Sequence, residues 1–311
     1  MTQLLTSPDG TPASRLAFGT MQFGGRADAD QAAEMVRDCL DAGLTHFDTA
    51  HVYNDGASEQ ITGRLLRPHR ERVIIATKAG FKGGAGRDNI LRQFDESRRR
   101  LDMDMVDILY LHRFDPDTDL AETMETFAAL RDRGQIRHVG LSNFAAWQVM
   151  KAQWVAARFD LRISILQPMY NLVKRQAEVE ILPMCTDQSI AVAPYSPLGG
   201  GLLTGKYARG ETGRLSEDQG YADRYAPEWM HRAAQELTAI AAEHGTDPAT
   251  LAVAWVAAHP TGPTPIISAR TSAQLAPSLA ALSHDMSADL RARLSALTPQ
   301  PPPATDRLEE A

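Results

Sequence analysis

Cysteine is scarce in this chain. Cys39 and Cys185 are the only two among 311 residues, and neither has a C-x-x-C or metal-site spacing. A disulfide framework is excluded, and Cys39 reads as packing within the apolar stripe of a predicted helix. Positive charge is in deficit: 32 Lys and Arg stand against 39 Asp and Glu, for a formal net charge of -7. A nucleic acid or an anionic membrane is therefore not expected as partner. Long apolar runs are missing too, since the longest, near residues 251–258, is far too short to span a bilayer. Residues 1–10 carry neither the basic flank nor the apolar core of a secretory signal. The expectation is a cytoplasmic protein with a small-molecule ligand.

What the chain does contain is a regular alternation. Pro8-Asp9-Gly10 is a turn signal that predicts a short N-terminal hairpin. Strands are predicted at 15–21, 45–49, 73–77, 106–111, 135–141, 162–166, 190–194 and 265–268. Between them lie helical stripes, such as Ala32, Met35, Val36, Cys39 and Leu40 closed by Gly43, or Leu120, Met124, Phe127 and Ala128 closed by Gly134. Further helices are predicted at 58–67, from Ile90 to Leu101, at 145–157, 177–186, 230–244 and 248–258, from Thr271, and at 287–297. Residues 199–228 have glycines and charges but no sustained period, which reads as a long functional or mobile loop. The proline-rich 299–311 is expected to be a flexible tail.

Strict alternation requires parallel strands with helical crossovers, and eight such units predict one domain over 1–311, a closed (β/α)8 TIM barrel with an N-terminal hairpin and extra C-terminal helices. An open doubly wound sheet is the competitor. It turns on G-x-G-x-x-G after its first strand, a spacing that Gly19-Thr20-Met21-Gln22-Phe23-Gly24-Gly25 does not supply.

In such a barrel the active site lies at the carboxyl ends of the strands. Asp48, Lys78 and His112 are predicted there on strands two, three and four, with Tyr53 in the loop after strand two. Each has a bland explanation taken singly, but three successive strand ends carrying titratable groups suggest proton transfer to a carbonyl. The Lys78 ammonium is expected to lower the Tyr53 pKa, Asp48 to hold Lys78 charged, and His112 to donate a hydrogen bond to the substrate oxygen. Two other motifs point elsewhere. Gly200 to Lys206 reads G-x-x-x-x-G-K, but Tyr207 stands where a magnesium-binding Ser or Thr belongs. Tyr170-Asn171-Leu172-Val173-Lys174 reads Y-x-x-x-K, but it follows a predicted strand end rather than lying on a helix.

Gly43-Leu44-Thr45-His46-Phe47-Asp48-Thr49-Ala50 with Tyr53, Ile75-Ala76-Thr77-Lys78, Asp107-Ile108-Leu109-Tyr110-Leu111-His112 and Gly140-Leu141-Ser142-Asn143-Phe144 together resemble the aldo-keto reductase family. So do Gln167-Pro168-Met169-Tyr170-Asn171, Pro194-Tyr195-Ser196-Pro197-Leu198 and Ile267-Ser268-Ala269-Arg270-Thr271. The resemblance implies a (β/α)8 oxidoreductase using NADPH or NADH, with Asp48, Tyr53, Lys78 and His112 as catalytic tetrad. It implies cofactor contacts at Gly19, Thr20, Met21, Asp48, Ser142, Asn143, Gln167, Tyr195, Ser196, Pro197, Leu198, Gly200, Leu202 and Lys206, and at Ser268, Arg270 and Gln274 near the adenosine. Ser268 and Ser278 depart from the glycine and asparagine common in this branch, while Arg270 and Gln274 favour NADPH. Thr271 to Gln274 also reads as a capping box whose helix start, beside Arg270, suits a phosphate.

The expected mouth for an aldehyde or ketone is Met21, Phe23, Tyr53, Phe81, His112, Phe114 and Trp147, with Arg113 as a candidate contact for an anionic or polyhydroxylated substrate. A rival reading keeps the barrel and the bound nucleotide but makes the protein a redox-sensing regulatory subunit with little turnover.

Overall fold

The computed structural model describes residues 5–307 and residue 309. Strand β1 (Ala17–Gly19) is followed by α1 (Ala29–Asp41), β2 (His46–Asp48), α2 (Ala57–Leu66), β3 (Ile74–Ala79), α3 (Arg87–Leu101), β4 (Val106–Leu111) and α4 (Leu120–Asp132). Next come β5 (Ile136–Ser142), α5 (Ala146–Ala156), β6 (Ile163–Gln167), α6 (Ile181–Asp187) and β7 (Ala191–Val192). The chain continues through α7 (Arg214–Glu217), α8 (Gln219–Arg224), α9 (Glu228–Glu243), α10 (Pro248–Ala257), β8 (Ile266–Ile267), α11 (Ser272–Ala280) and α12 (Ala288–Ser295). The eight strands form one sheet in the order β7-β6-β5-β4-β3-β2-β1-β8, all pairs parallel. Its two edges meet where Thr264 N–H donates to Val192 O at 2.8 Å and Ile266 N–H to Pro194 O at 2.9 Å, so the sheet curls into a barrel.

Side chains alternate across each strand, and this period of two sorts the buried apolar residues into two sets. Ala17, Ile74, Ala76, Ile108, Tyr110, Ile165, Ala193 and Ile266 pack together inside the barrel. Phe18, Phe47, Ile75, Leu109, Leu111, Val139, Leu141 and Ile267 pack outward with the helices. The inner residues are small wherever the large Tyr110 needs room. A Cβ on Gly140 would stand 2.3 Å from the Tyr110 ring, so only glycine fits at that point of β5. Continuing each inner column one step toward the carboxyl end reaches Gly19, Asp48, Lys78, His112, Ser142, Gln167, Tyr195 and Ser268.

Local signals explain most boundaries. Asp28 caps α1 by accepting from Asp30 and Gln31 N–H, and Gln31 answers at the Asp28 N–H. The hairpin forms around Pro8-Asp9-Gly10, with Ser7 N–H donating to Thr11 O and Ala13 N–H to Leu5 O, each at 2.8 Å. Three expectations need correction. Strand β3 runs through Ala79, so Lys78 lies within it rather than after it. The helix expected at 177–186 is split into a 3-10 turn at Gln176–Glu178 and α6. Residues 199–228 are not a structureless loop: 3-10 turns at Gly199–Thr204 and Lys206–Arg209 lead into α7 and α8. Of the expected flexible tail, residues 308, 310 and 311 lie outside the described residues. Among the described residues no helix is long and apolar enough to cross a membrane.

His46, two residues below Asp48 in its column, is buried, and neither ring nitrogen meets a partner among the described residues. Burial pushes its pKa down to about 4, against opposing pulls from Asp48 and Asp107. The unfolded chain thus binds a proton below about pH 6.5 that the folded chain refuses down to about pH 4. Its contribution to stability is full above the unfolded value and is lost as pH falls through that window, at up to about 1.4 kcal/mol per pH unit. Urea unfolding at a series of pH values from 4 to 7 should show His46→Leu losing about one proton's worth of that slope.

Candidate active site

Three inner columns and one loop bring the tetrad candidates together. Lys78, with a side chain of 0% exposure, donates from Nζ to Asp48 Oδ1 and to Thr49 O at 2.6 Å. The other carboxylate oxygen, Asp48 Oδ2, accepts from Gln167 Nε2 at 2.9 Å, so both oxygens of Asp48 are held. Burial alone would discharge Lys78, but the Asp48 carboxylate and the Tyr53 phenol keep its pKa raised. Lys78 Nζ lies 5.0 Å from the centre of the Tyr53 ring.

The Tyr53 phenol behaves differently from the sequence-based expectation. Its burial outweighs the pull of the Lys78 ammonium and, with a push from Asp48, leaves the pKa above the ordinary 10. Tyr53 is accordingly uncharged at physiological pH. His112 completes the group, its ring 5.9 Å from that of Tyr53 in edge contact and 4.9 Å from Phe81. Burial, then the charges of Lys78 and Arg113, drive its pKa down to about 3. Its imidazole is uncharged at neutral pH, with Nδ1 unpartnered among the described residues.

The loop that carries Tyr53 is tied at two levels. Asn54, in a left-handed conformation at φ 48°, donates from Nδ2 to Met21 O at 2.9 Å and Phe23 O at 2.8 Å. Beneath it, Arg100 donates to His51 O at 3.0 Å and to buried Glu59 at 3.2 Å, and His51 Nε2 pairs with Glu96 Oε2 at 2.7 Å. Glu59 in turn accepts from Thr77 on β3 at 2.6 Å, which couples the loop to the strand bearing Lys78.

Above the tetrad opens a cavity of about 570 Å³. Tyr53, Asp48 and His112 line it, as do the expected cofactor contacts Gly19, Met21, Ser142, Asn143, Gln167, Tyr195, Ser196, Pro197, Leu198, Gly200, Lys206, Ser268, Arg270 and Gln274. Asn143, at φ 59°, connects several of them: Nδ2 donates to His112 O at 3.0 Å and Oδ1 accepts from Tyr195 OH at 2.7 Å. The expected capping box is altered. Thr271 accepts from Gln274 N–H at 3.3 Å, but Gln274 Oε1 accepts from Arg270 N–H rather than from Thr271.

Other expected residues do not face the cavity. Thr20 is buried and bonded to Ser58 and Asp48 O, Phe23 is fully buried beside Phe18, and Leu202 belongs to the outer core. Of the expected substrate residues, Met21 and Phe81 line the cavity, but Phe114 and Trp147 are not among its lining and meet each other in edge contact. Arg113 is exposed, with its guanidinium 5.0 Å from the Phe81 ring. Missed were Arg209, Glu211, Arg214, Tyr221 and Arg224 from the 199–228 segment, and Asp247 before α10. The clustering of glycine, arginine and tyrosine in that segment was the available signal. Arg270 is held by Glu217 of α7 at 2.9 Å, and Arg26 reaches the same carboxylate at 3.1 Å, so the segment is strapped to the barrel on two sides.

A parallel β/α barrel thus carries a phenol, a buried ammonium, a carboxylate and an uncharged imidazole at one end of its strands. Residues 15–298 match the model of the aldo/keto reductase family, and the chain belongs to that family of oxidoreductases. It is 35% identical over 291 residues, 88% of each chain, to a probable voltage-gated potassium channel subunit beta of Oryza sativa subsp. japonica. It is 32% identical to the aldo-keto reductase YhdN of Bacillus subtilis over 86% of this chain and 84% of that one. It is 36% identical to aflatoxin B1 aldehyde reductase member 2 of Rattus norvegicus over 69% of this chain and 60% of that one.

Nicotinamide cofactors are general in the family, and the residues here fit one. Amide and hydroxyl groups of Ser142, Asn143 and Gln167 sit beside the Tyr195 phenol, while Lys206, Arg214 and Arg270 gather further along the cavity. The Oγ of Ser268, which lines the same cavity, is buried and meets no partner among the described residues.

The ion pair at the base sets a stability expectation. Asp48→Ala would strand the Lys78 ammonium without a counter-charge, and should lower the urea unfolding free energy by about 3–5 kcal/mol.

Proposed function

We propose that the protein is a reductase that converts an aldehyde or ketone to the alcohol with a nicotinamide cofactor, NADPH in preference to NADH, and with Tyr53 as proton donor. The observation that carries this reading is the Tyr53 phenol on the cavity wall with its ring 5.0 Å from Nζ of the buried, Asp48-paired Lys78. A cofactor held against Tyr195, Ser142, Asn143 and Gln167 would supply the hydride to the carbonyl carbon. Tyr53 gives its hydroxyl proton to the carbonyl oxygen, and the Lys78 ammonium stabilises the phenolate left behind. Uncharged His112 offers a ring N–H that orients the substrate oxygen without competing as an acid. Lys206, Arg214 and Arg270 support the additional phosphate of NADPH. The aldehyde reductase named among the relatives agrees with a carbonyl substrate.

The relative named as a channel beta subunit favours a second reading, in which the protein binds the nucleotide and regulates a partner with little turnover. Turnover decides between them. Purified protein should oxidise NADPH with an aldehyde panel, and Tyr53→Phe should lower kcat about 10²–10⁴-fold while still binding cofactor. Undiminished turnover by Tyr53→Phe would remove the phenol from this role.

The same reading sets a pH profile. Because His112 is uncharged above about pH 3, reduction should show no ionisation from it between pH 5 and 8. The rate should fall only at alkaline pH, as the phenol loses its proton. A rate limb near pH 6.5 that disappears in His112→Gln would contradict this assignment.

A further inference from the structure

The cations around the cavity fall into two groups. Lys206 stands in the field of Arg270, Glu217, Glu211 and Arg214, and Arg270 is paired with Glu217. That group lies by the start of α11. Arg224, the last residue of α8, lies beyond it and shares the Tyr221 ring with Arg214, which links the two groups. Its charge bears on Tyr195, Tyr225 and Lys174. Tyr195 is bonded to Asn143, and Asn143 to the backbone of His112, and Arg224 lines the cavity with all three. Tyr221, one turn before it, lines the same cavity and is close enough for its charge state to bear on Tyr53.

Arg224 is also uncompensated. Among the described residues no carboxylate pairs with it; its guanidinium lies 4.9 Å from the Tyr221 ring, with that of Arg214 4.7 Å from the same ring. Lys174 Nζ, 5.7 Å from the Tyr225 ring and in the field of Arg224, likewise has no carboxylate partner among the described residues. The local acids are committed: Glu211 to Arg209, Asp247 to the α10 cap, Asp218 to the Tyr221 N–H and Asp223 to Gln219. An exposed, unpaired guanidinium held by an aromatic ring at the mouth of a chemical site is suited to a bidentate oxyanion.

We propose that Arg224, supported by Tyr221 and with Lys174 at its side, receives an anionic oxygen group of the carbonyl substrate. The preferred substrates are then aldehydes or ketones that carry a carboxylate or a phosphate. This rests on the reductase reading and gives it a substrate class. It also moves the role first considered for Arg113, which lies outside the cavity, to a residue inside it.

The test compares kcat/KM for matched pairs, 4-carboxybenzaldehyde against benzaldehyde and glyceraldehyde 3-phosphate against glyceraldehyde, in wild type, Arg224→Gln and Arg224→Lys. Wild type should prefer the anionic member of at least one pair, and the pair tells carboxylate from phosphate. In Arg224→Gln that preference should drop at least about tenfold, mainly through KM, with partial recovery in Arg224→Lys. An equal preference ratio in wild type and Arg224→Gln for both pairs would overturn the proposal while leaving the reductase reading intact. If wild type reduced none of these carbonyls, the reductase reading would fail on its own. Calorimetric binding of benzoate and of inorganic phosphate to the NADPH-loaded protein would then decide: loss of binding in Arg224→Gln supports the anion site, and unchanged or absent binding removes it.

Discussion

A lysine ammonium with no exposure inside a barrel of eight strands persists only because a carboxylate is buried against it. Taking both charges out of water is costly, and their attraction offsets that cost only when the remaining donors and acceptors are satisfied. Here they are: Lys78 reaches Asp48 and Thr49 O, and Asp48 takes Gln167 on its free oxygen. The pair therefore contributes position more than stability. It fixes a positive charge beneath one phenol, and strands β2, β3 and β6 must keep register for it to survive.

Much of this was legible because strand periodicity does the sorting. The predicted strands were short and bounded by turn residues, so each end could be found within a residue or two, and the residues at the tops of the inner columns followed. Parity also explains the errors. Gly19 and His112 face inward, so Thr20 and Arg113, one residue on, do not enter the cavity. Phe23 was attractive as an aromatic near the mouth, yet the turn held by Asn54 sends it into the outer core. The sign of the Tyr53 shift was not legible, because it depends on how thoroughly the fold excludes water from the phenol, a property of the closed barrel rather than of any spacing.

The segment 199–228 was the largest omission. Its glycines adopt left-handed angles at Gly199, Gly200, Gly201, Gly205 and Gly210, breaking the backbone into turns too short to leave a periodic stripe. Once folded, those turns carry Lys206, Arg214, Tyr221 and Arg224 to the cavity and Glu217 to Arg26 and Arg270. The barrel thus presents the tetrad candidates from rigid strand ends, and the segment adds Lys206, Arg214 and Arg224 to the lining of the same cavity.

The central claim is that Tyr53 remains a protonated donor whose ionisation is governed by burial on one side and the Lys78 ammonium on the other. The most direct measurement is an ultraviolet difference titration of the cofactor-free protein, with Tyr53→Phe subtracted to isolate that phenol. The account predicts titration above the ordinary value near 10, and a further rise in Lys78→Met, where burial acts unopposed. A Tyr53 titration at or below 10, or one that Lys78→Met leaves unmoved, would contradict it.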